Sequence, residues 1–143
     1  GGFYASPNMQ GTRSGLPMAC AWAVMQHLGV DGYIDLTQQT LVNADLMRAG
    51  IMAVDGVRVL GEGQFHLVAM AAEPDSGIDM FALGDALLER GWYHDRQTPP
   101  DNLHSTVSNT NTGVIDQYLV DLSECVATAG TTDDRSTTYA TLE

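Results

Sequence analysis

The sequence predicts an α+β fold: a small antiparallel sheet with helices packed on one face. Three observations carry this. Apolar residues recur at helical spacing over two stretches near the start and one near the end. Between them the period drops to two over 57–60 and 65–71, around a turn-like Gly61-Glu62-Gly63-Gln64, the pattern of a hairpin. One crossover helix then separates that hairpin from two further short strands, which suggests an α+β layer.

Taken in order, residues 1–14 are rich in Gly, Ser, Pro, Asn and Thr and read as a loop. Ser14 can cap a first helix from about 15 to 28 that carries Pro17 in its first turn, where the missing N–H does no harm. This helix is apolar nearly all round, through Met18, Cys20, Trp22 and Met25, and is expected to be covered on several sides, in part by something outside this chain. Gly29 is its stop. Asp31 caps a second helix from about 32 to 54, with Ile34, Leu41, Val42 and Ala49 on one stripe. After the hairpin, Asp79 caps a helix from about 80 to 90 that Gly91 ends. Strands are expected over 92–95 and 103–107, either side of Pro99-Pro100. A last helix over 113–128 places Ile115, Tyr118, Leu119, Leu122 and Val126 on one face. Residues 129–143 are Thr- and Asp-rich and read as a mobile tail. The expected organisation is a loop over 1–14, a domain over 15–128 and the tail.

Charge narrows the function. The 143 residues hold 18 acidic and 6 basic side chains, a net of −12. That argues against nucleic acid, whose binding needs clustered cations. No apolar run approaches the about 20 residues of a membrane span. All six basic residues are arginine, so no lysine is present to form a Schiff base with a carbonyl cofactor. Cys20 and Cys125 sit in apolar helical patterns and read as buried free thiols of a reducing compartment, so a cytoplasmic protein is expected. No His or Cys spacing suits a metal. His66 reads as a structural histidine within an apolar strand. His94-Asp95, near a strand end, reads as an exposed turn, with an orienting pair as the alternative; a compact pocket around the two would favour an unrelated acidic enzyme with a carboxylate or His site.

The N-terminal loop carries the denser chemistry. Ser6, Thr12, Arg13 and Ser14 bring hydroxyls and a guanidinium to a helix start, a combination suited to phosphate or carboxylate, although Arg13 could equally tie down its own loop.

Ser6-Pro7, Gly11-Thr12-Arg13-Ser14-Gly15, Ala19-Cys20-Ala21-Trp22 and His27-Leu28-Gly29 together resemble the pyridoxal-phosphate-dependent group II decarboxylases. Within that superfamily they look most like sphingosine-1-phosphate lyases and the archaeal-type tyrosine/aspartate decarboxylases. The likeness resumes at Arg90-Gly91-Trp92 and at Pro99-Pro100-Asp101-Asn102-Leu103-His104. It implies the C-terminal portion of a dimeric carbon–carbon lyase whose cofactor lysine lies outside this chain. The implied substrate is a small amine cleaved at Cα–COO⁻ or Cα–Cβ, with pyridoxal phosphate as the electron sink. The implied partners are the missing large domain and a second subunit. The resemblance assigns Ser6 and Thr12 to cofactor-phosphate contacts and Arg13 to the substrate anion. Arg-Ser-Gly at 13–15 departs from the lyases' Arg-Pro-Gly and is closer to the archaeal decarboxylases. The alternative is a stand-alone binding or oligomerisation module of the same fold, with no catalytic residue of its own.

Overall fold

A computed structural model describes residues 13–63 and 65–140. The chain divides into two compact units, residues 1–35 and 36–143.

Helix α1 spans Leu16–Met52 and is interrupted at Gly29, whose φ of 61° and ψ of −175° are non-helical. A residue with a Cβ is disfavoured at that φ, so glycine marks the break. The two expected helices therefore abut at Gly29, and the second begins earlier than Gly32. Ser14 Oγ accepts from the Leu16 backbone N–H at 3.3 Å, as expected of the cap. In the first unit Leu16, Met18, Trp22 and Met25 are exposed. The burial expected for this helix is thus not supplied within the unit. Cys20 is exposed as well, contrary to expectation, while Cys125 is buried; both are free thiols.

In the second unit α1 buries Asn43, Ala44, Met47 and Ile51, a stripe at helical spacing. Four antiparallel strands follow: β1 (Val57–Val59), β2 (Leu67–Ala72), β3 (Asp95–Thr98) and β4 (Asn102–Thr106). A two-residue strand β5 (Tyr139–Ala140) adds in parallel beside β3. The order is β1-β2-β4-β3-β5. Helix α2 (Met80–Glu89) crosses from β2 to β3, and α3 (Ile115–Thr128) follows β4. The core joins Met47 and Ile51 of α1, Phe81, Leu83 and Leu87 of α2, and Tyr118 and Leu122 of α3 to Val68, Met70 and Leu103 of the sheet. The structure bears out the expected class of an antiparallel sheet with helices on one face. No described helix is long and apolar enough to cross a membrane.

Asp79 caps α2 as expected, its Oδ1 accepting from Phe81 N at 2.9 Å and Ala82 N at 3.2 Å. Burial pushes its carboxyl up, but backbone donors from Ala82, Thr132 and Phe81, with Arg135, outweigh that and hold it below the usual value.

Three boundaries move for visible reasons. β3 begins at Asp95 rather than Trp92, because the Trp92 N–H still bonds Leu87 O at 2.9 Å and closes the end of α2. α3 begins at Ile115 because Ser108–Asn111 forms its own capped turn. His66 precedes β2 rather than lying inside it, and its carbonyl accepts from Val107 N at 2.8 Å. Residues 129–140, expected as a tail, run along the sheet edge. There Thr138 N bonds Arg96 O at 2.8 Å, and Arg135 pairs with Asp79 at 3.1 Å and with Asp101.

Candidate functional site

Ser6 and Thr12 lie outside the described residues. Arg13 is exposed, three residues ahead of α1. Four of the six arginines make ion pairs: Arg48 with Asp45, Arg90 with Asp121 and Glu124, Arg96 with Asp85 and Asp134, and Arg135 with Asp79 and Asp101. Arg13 has no ion pair among the described residues. The same holds for Arg58, exposed on β1.

A second constellation forms in the sheet unit. β3 and β4 pair with Asp95 opposite His104, which sets His94 beside Ser105. The His94 Nδ1 lies 2.7 Å from Ser105 Oγ, and its ring packs 5.5 Å from that of Tyr118. The His104 Nδ1 stands 3.8 Å from Asp95 Oδ2. Trp92 meets Tyr118 edge to face at 5.4 Å, and its indole N–H donates to Asp121 Oδ2 at 2.7 Å. Trp92, His94, Asp95, His104, Ser105 and Tyr118 are among the residues that line a cavity of about 260 Å³.

His94-Asp95 is therefore not an exposed turn: both residues are half-buried at a cavity wall. Burial pushes the His94 imidazole down to about 4; the Asp95 carboxylate opposes this and His104 adds to it. A base that weak at neutral pH is a poor proton acceptor for Ser105, so the Ser–His contact reads as structural. The sequence reading missed the contributions of His104, Ser105 and Tyr118. Pairing the two strands about Pro99-Pro100 would have found the first two, since 95 with 104 and 94 with 105 are then opposed. Among the described residues no group of three His, Cys, Asp or Glu side chains could hold a metal.

No protein-family model matches the chain. Curated relatives do. The sphingosine-1-phosphate lyase of Drosophila melanogaster is 31% identical over 129 residues, which is 89% of this chain and 23% of that protein. A probable L-tyrosine/L-aspartate decarboxylase of Methanothrix thermoacetophila is 29% identical over 123 residues, 82% of this chain and 29% of that protein. Among solved structures, the sphingosine-1-phosphate lyase of Burkholderia pseudomallei K96243 superposes with a TM-score of 0.80 at 32% identity. That match covers 88% of this chain and 28% of the lyase chain. The chain spans about a quarter of the length of the proteins it matches. Over some nine-tenths of its own length it is homologous to sphingosine-1-phosphate lyases and group II decarboxylases, and it is related to their C-terminal region.

Proposed function

We propose that this chain is the C-terminal small-domain portion of a pyridoxal-phosphate-dependent carbon–carbon lyase and has no activity by itself. The observation that carries the reading is the joint match in sequence and fold to a sphingosine-1-phosphate lyase over 88% of the chain, with 32% identity.

The chain's own residues do not fit the cofactor. It has no lysine to hold an aldehyde covalently. The cavity in its sheet unit is lined by no arginine, the residue a phosphate would call for. Pyridoxal phosphate would be held by a larger segment, and no chemical step is routed through the residues described. This chain would contribute Arg13, with Ser6 and Thr12, to an anion contact completed by that segment. Arg13 grips the anionic end of a small amine substrate, and the hydroxyls bond phosphate oxygens. The exposed Met18, Trp22 and Met25 supply an apolar face for the large domain and for a second subunit of a homodimer.

The same face supports a second reading, a stand-alone oligomerisation module of this fold. Two measurements separate them. The isolated chain mixed with pyridoxal phosphate leaves the cofactor's visible absorption unchanged, while the protein encoded by the complete reading frame shifts it. In that complete protein Arg13→Gln lowers kcat/KM by about tenfold or more while the bound-cofactor absorption persists. A reading frame that opens just ahead of Gly1 would overturn the lyase reading, as would a cofactor shift by the isolated chain.

A further inference from the structure

Residues 129–140 leave the end of α3 and return along the β3 edge, where they finish in β5. The segment and all the groups it meets belong to the second unit, so its reading is independent of the lyase proposal.

Apolar packing does little to hold this segment. Of residues 129–139 none is buried, and only Ala129, at the start, packs against the core. The aromatic ring at the far end, Tyr139, is exposed. Charge does more. The Arg135 guanidinium stands between two carboxylates: Nη1 donates to both Asp79 oxygens at 3.1 Å, and Nη2 donates to Asp101. The same group lies 4.6 Å from the centre of the Phe81 ring, within reach of a cation–π attraction. A second arginine holds the segment from the β3 side, Arg96 Nη1 reaching Asp134 Oδ2 at 3.4 Å. Backbone bonds are few: Thr132 N to Asp79 Oδ2 at 3.3 Å, Thr138 N to Arg96 O at 2.8 Å, and the short parallel pairing of β5 with β3. A segment with exposed ion pairs and little buried apolar surface belongs to the part of a fold that opens locally at low cost.

We propose that residues 130–140 form a strap latched by Arg135, and that screening or removing the latch frees the strap from β3 while the rest of the unit stays folded. Closed, the strap covers one edge of the sheet. Open, it leaves β3 with backbone N–H and C=O groups unpaired on that side, the condition in which an edge strand accepts another strand. The strap thus governs access to this edge, and ionic strength governs the strap, because exposed ion pairs weaken as salt screens them.

The test uses the 143-residue chain and amide hydrogen exchange read by NMR, with each rate referred to that of an unstructured peptide at the same salt. The Thr138 N–H, bonded to Arg96 O, reports the strap; the Leu103 N–H, at a fully buried residue in the middle of the sheet, reports the fold. Raising sodium chloride from about 0.1 M to about 1 M shortens the screening length from about 10 Å to about 3 Å. Protection of Thr138 is expected to fall about fivefold or more over that range, with Leu103 unchanged. Arg135→Gln is expected to produce a similar fall at low salt and to remove most of the salt dependence, whereas Arg135→Lys, which keeps the charge, retains that dependence. Thr138 protection that responds neither to salt nor to Arg135→Gln overturns the proposal, as does loss of Thr138 and Leu103 protection together. Should Arg135→Gln fail to fold, the salt series on the unsubstituted chain decides.

Discussion

Replacing His94 with glutamine should flatten part of the chain's response to acid. Burial holds the His94 imidazole near 4 in the folded chain, against 6.5 when solvated. Between those values the unfolded chain takes up a proton that the native chain refuses, so stability rises with pH across that window and falls as acid is added. Linkage with these two values gives a loss of about 2 kcal/mol from pH 7 to pH 5 and about 3 kcal/mol by pH 4. Glutamine does not titrate, yet its amide can still bond Ser105 Oγ, which His94 Nδ1 meets at 2.7 Å. Urea unfolding of both proteins at pH 7 and pH 5 isolates the effect, because the carboxylates common to both cancel in the difference. The wild-type advantage over His94→Gln is expected to shrink by about 2 kcal/mol over that interval. A difference that stays constant within about 0.5 kcal/mol would show that His94 protonates as freely in the fold as in solution, and the burial argument would fail.

Three further outcomes follow from the packing. Asp79→Ala removes the acceptor for Phe81 N and Ala82 N and the partner of Arg135; a loss of about 1–2 kcal/mol is expected in urea, with Asp79→Asn costing less because it can still cap. Leu103→Ala, at a fully buried site in the middle of the sheet, is expected to cost about 2–5 kcal/mol by the same assay. Trp92→Phe takes away the indole donor that chiefly holds the Asp121 carboxyl below its usual value, so a carbon-13 carboxyl titration should show the Asp121 midpoint moving up.

The elements were largely legible because their signals are local. Asp79 before Met80-Phe81-Ala82 announces a cap, and Gly29 and Gly91 announce breaks, since each acts on its immediate neighbours. The strand edges were less so. Trp92 has the composition of a strand residue, but its N–H is claimed by Leu87 and its ring by Tyr118, and neither claim is visible before the helices are in place. The cavity was hidden for the same reason. His94 and Asp95 read as a turn while their partners were unknown; in the fold the His94 ring packs against Tyr118 and meets Ser105 of β4. The N-terminal residues differ. Ser6, Thr12 and Arg13 are readable from the sequence as anion-binding residue types, and Ser6 and Thr12 lie outside the described residues.

With 18 carboxylates against six cations, acidic neighbours are plentiful, and four of the six arginines pair with one; the exposed Arg58 of β1, like Arg13, has no ion pair among the described residues. Arg90, Arg96 and Arg135 each bridge segments far apart in sequence, and Arg48 reaches from α1 to the carbonyls of Phe65 and Leu67. In each case the cation is used up in joining one piece of the chain to another. Arg13 follows a stretch of sequence from Gly1 to Thr12 without a single acidic residue and has no ion pair among the described residues. The anion contact proposed for Arg13 would draw on a cation that no ion pair among the described residues uses. Moving a carboxylate next to it, as in Gly15→Glu, should weaken that anion contact while leaving the core untouched.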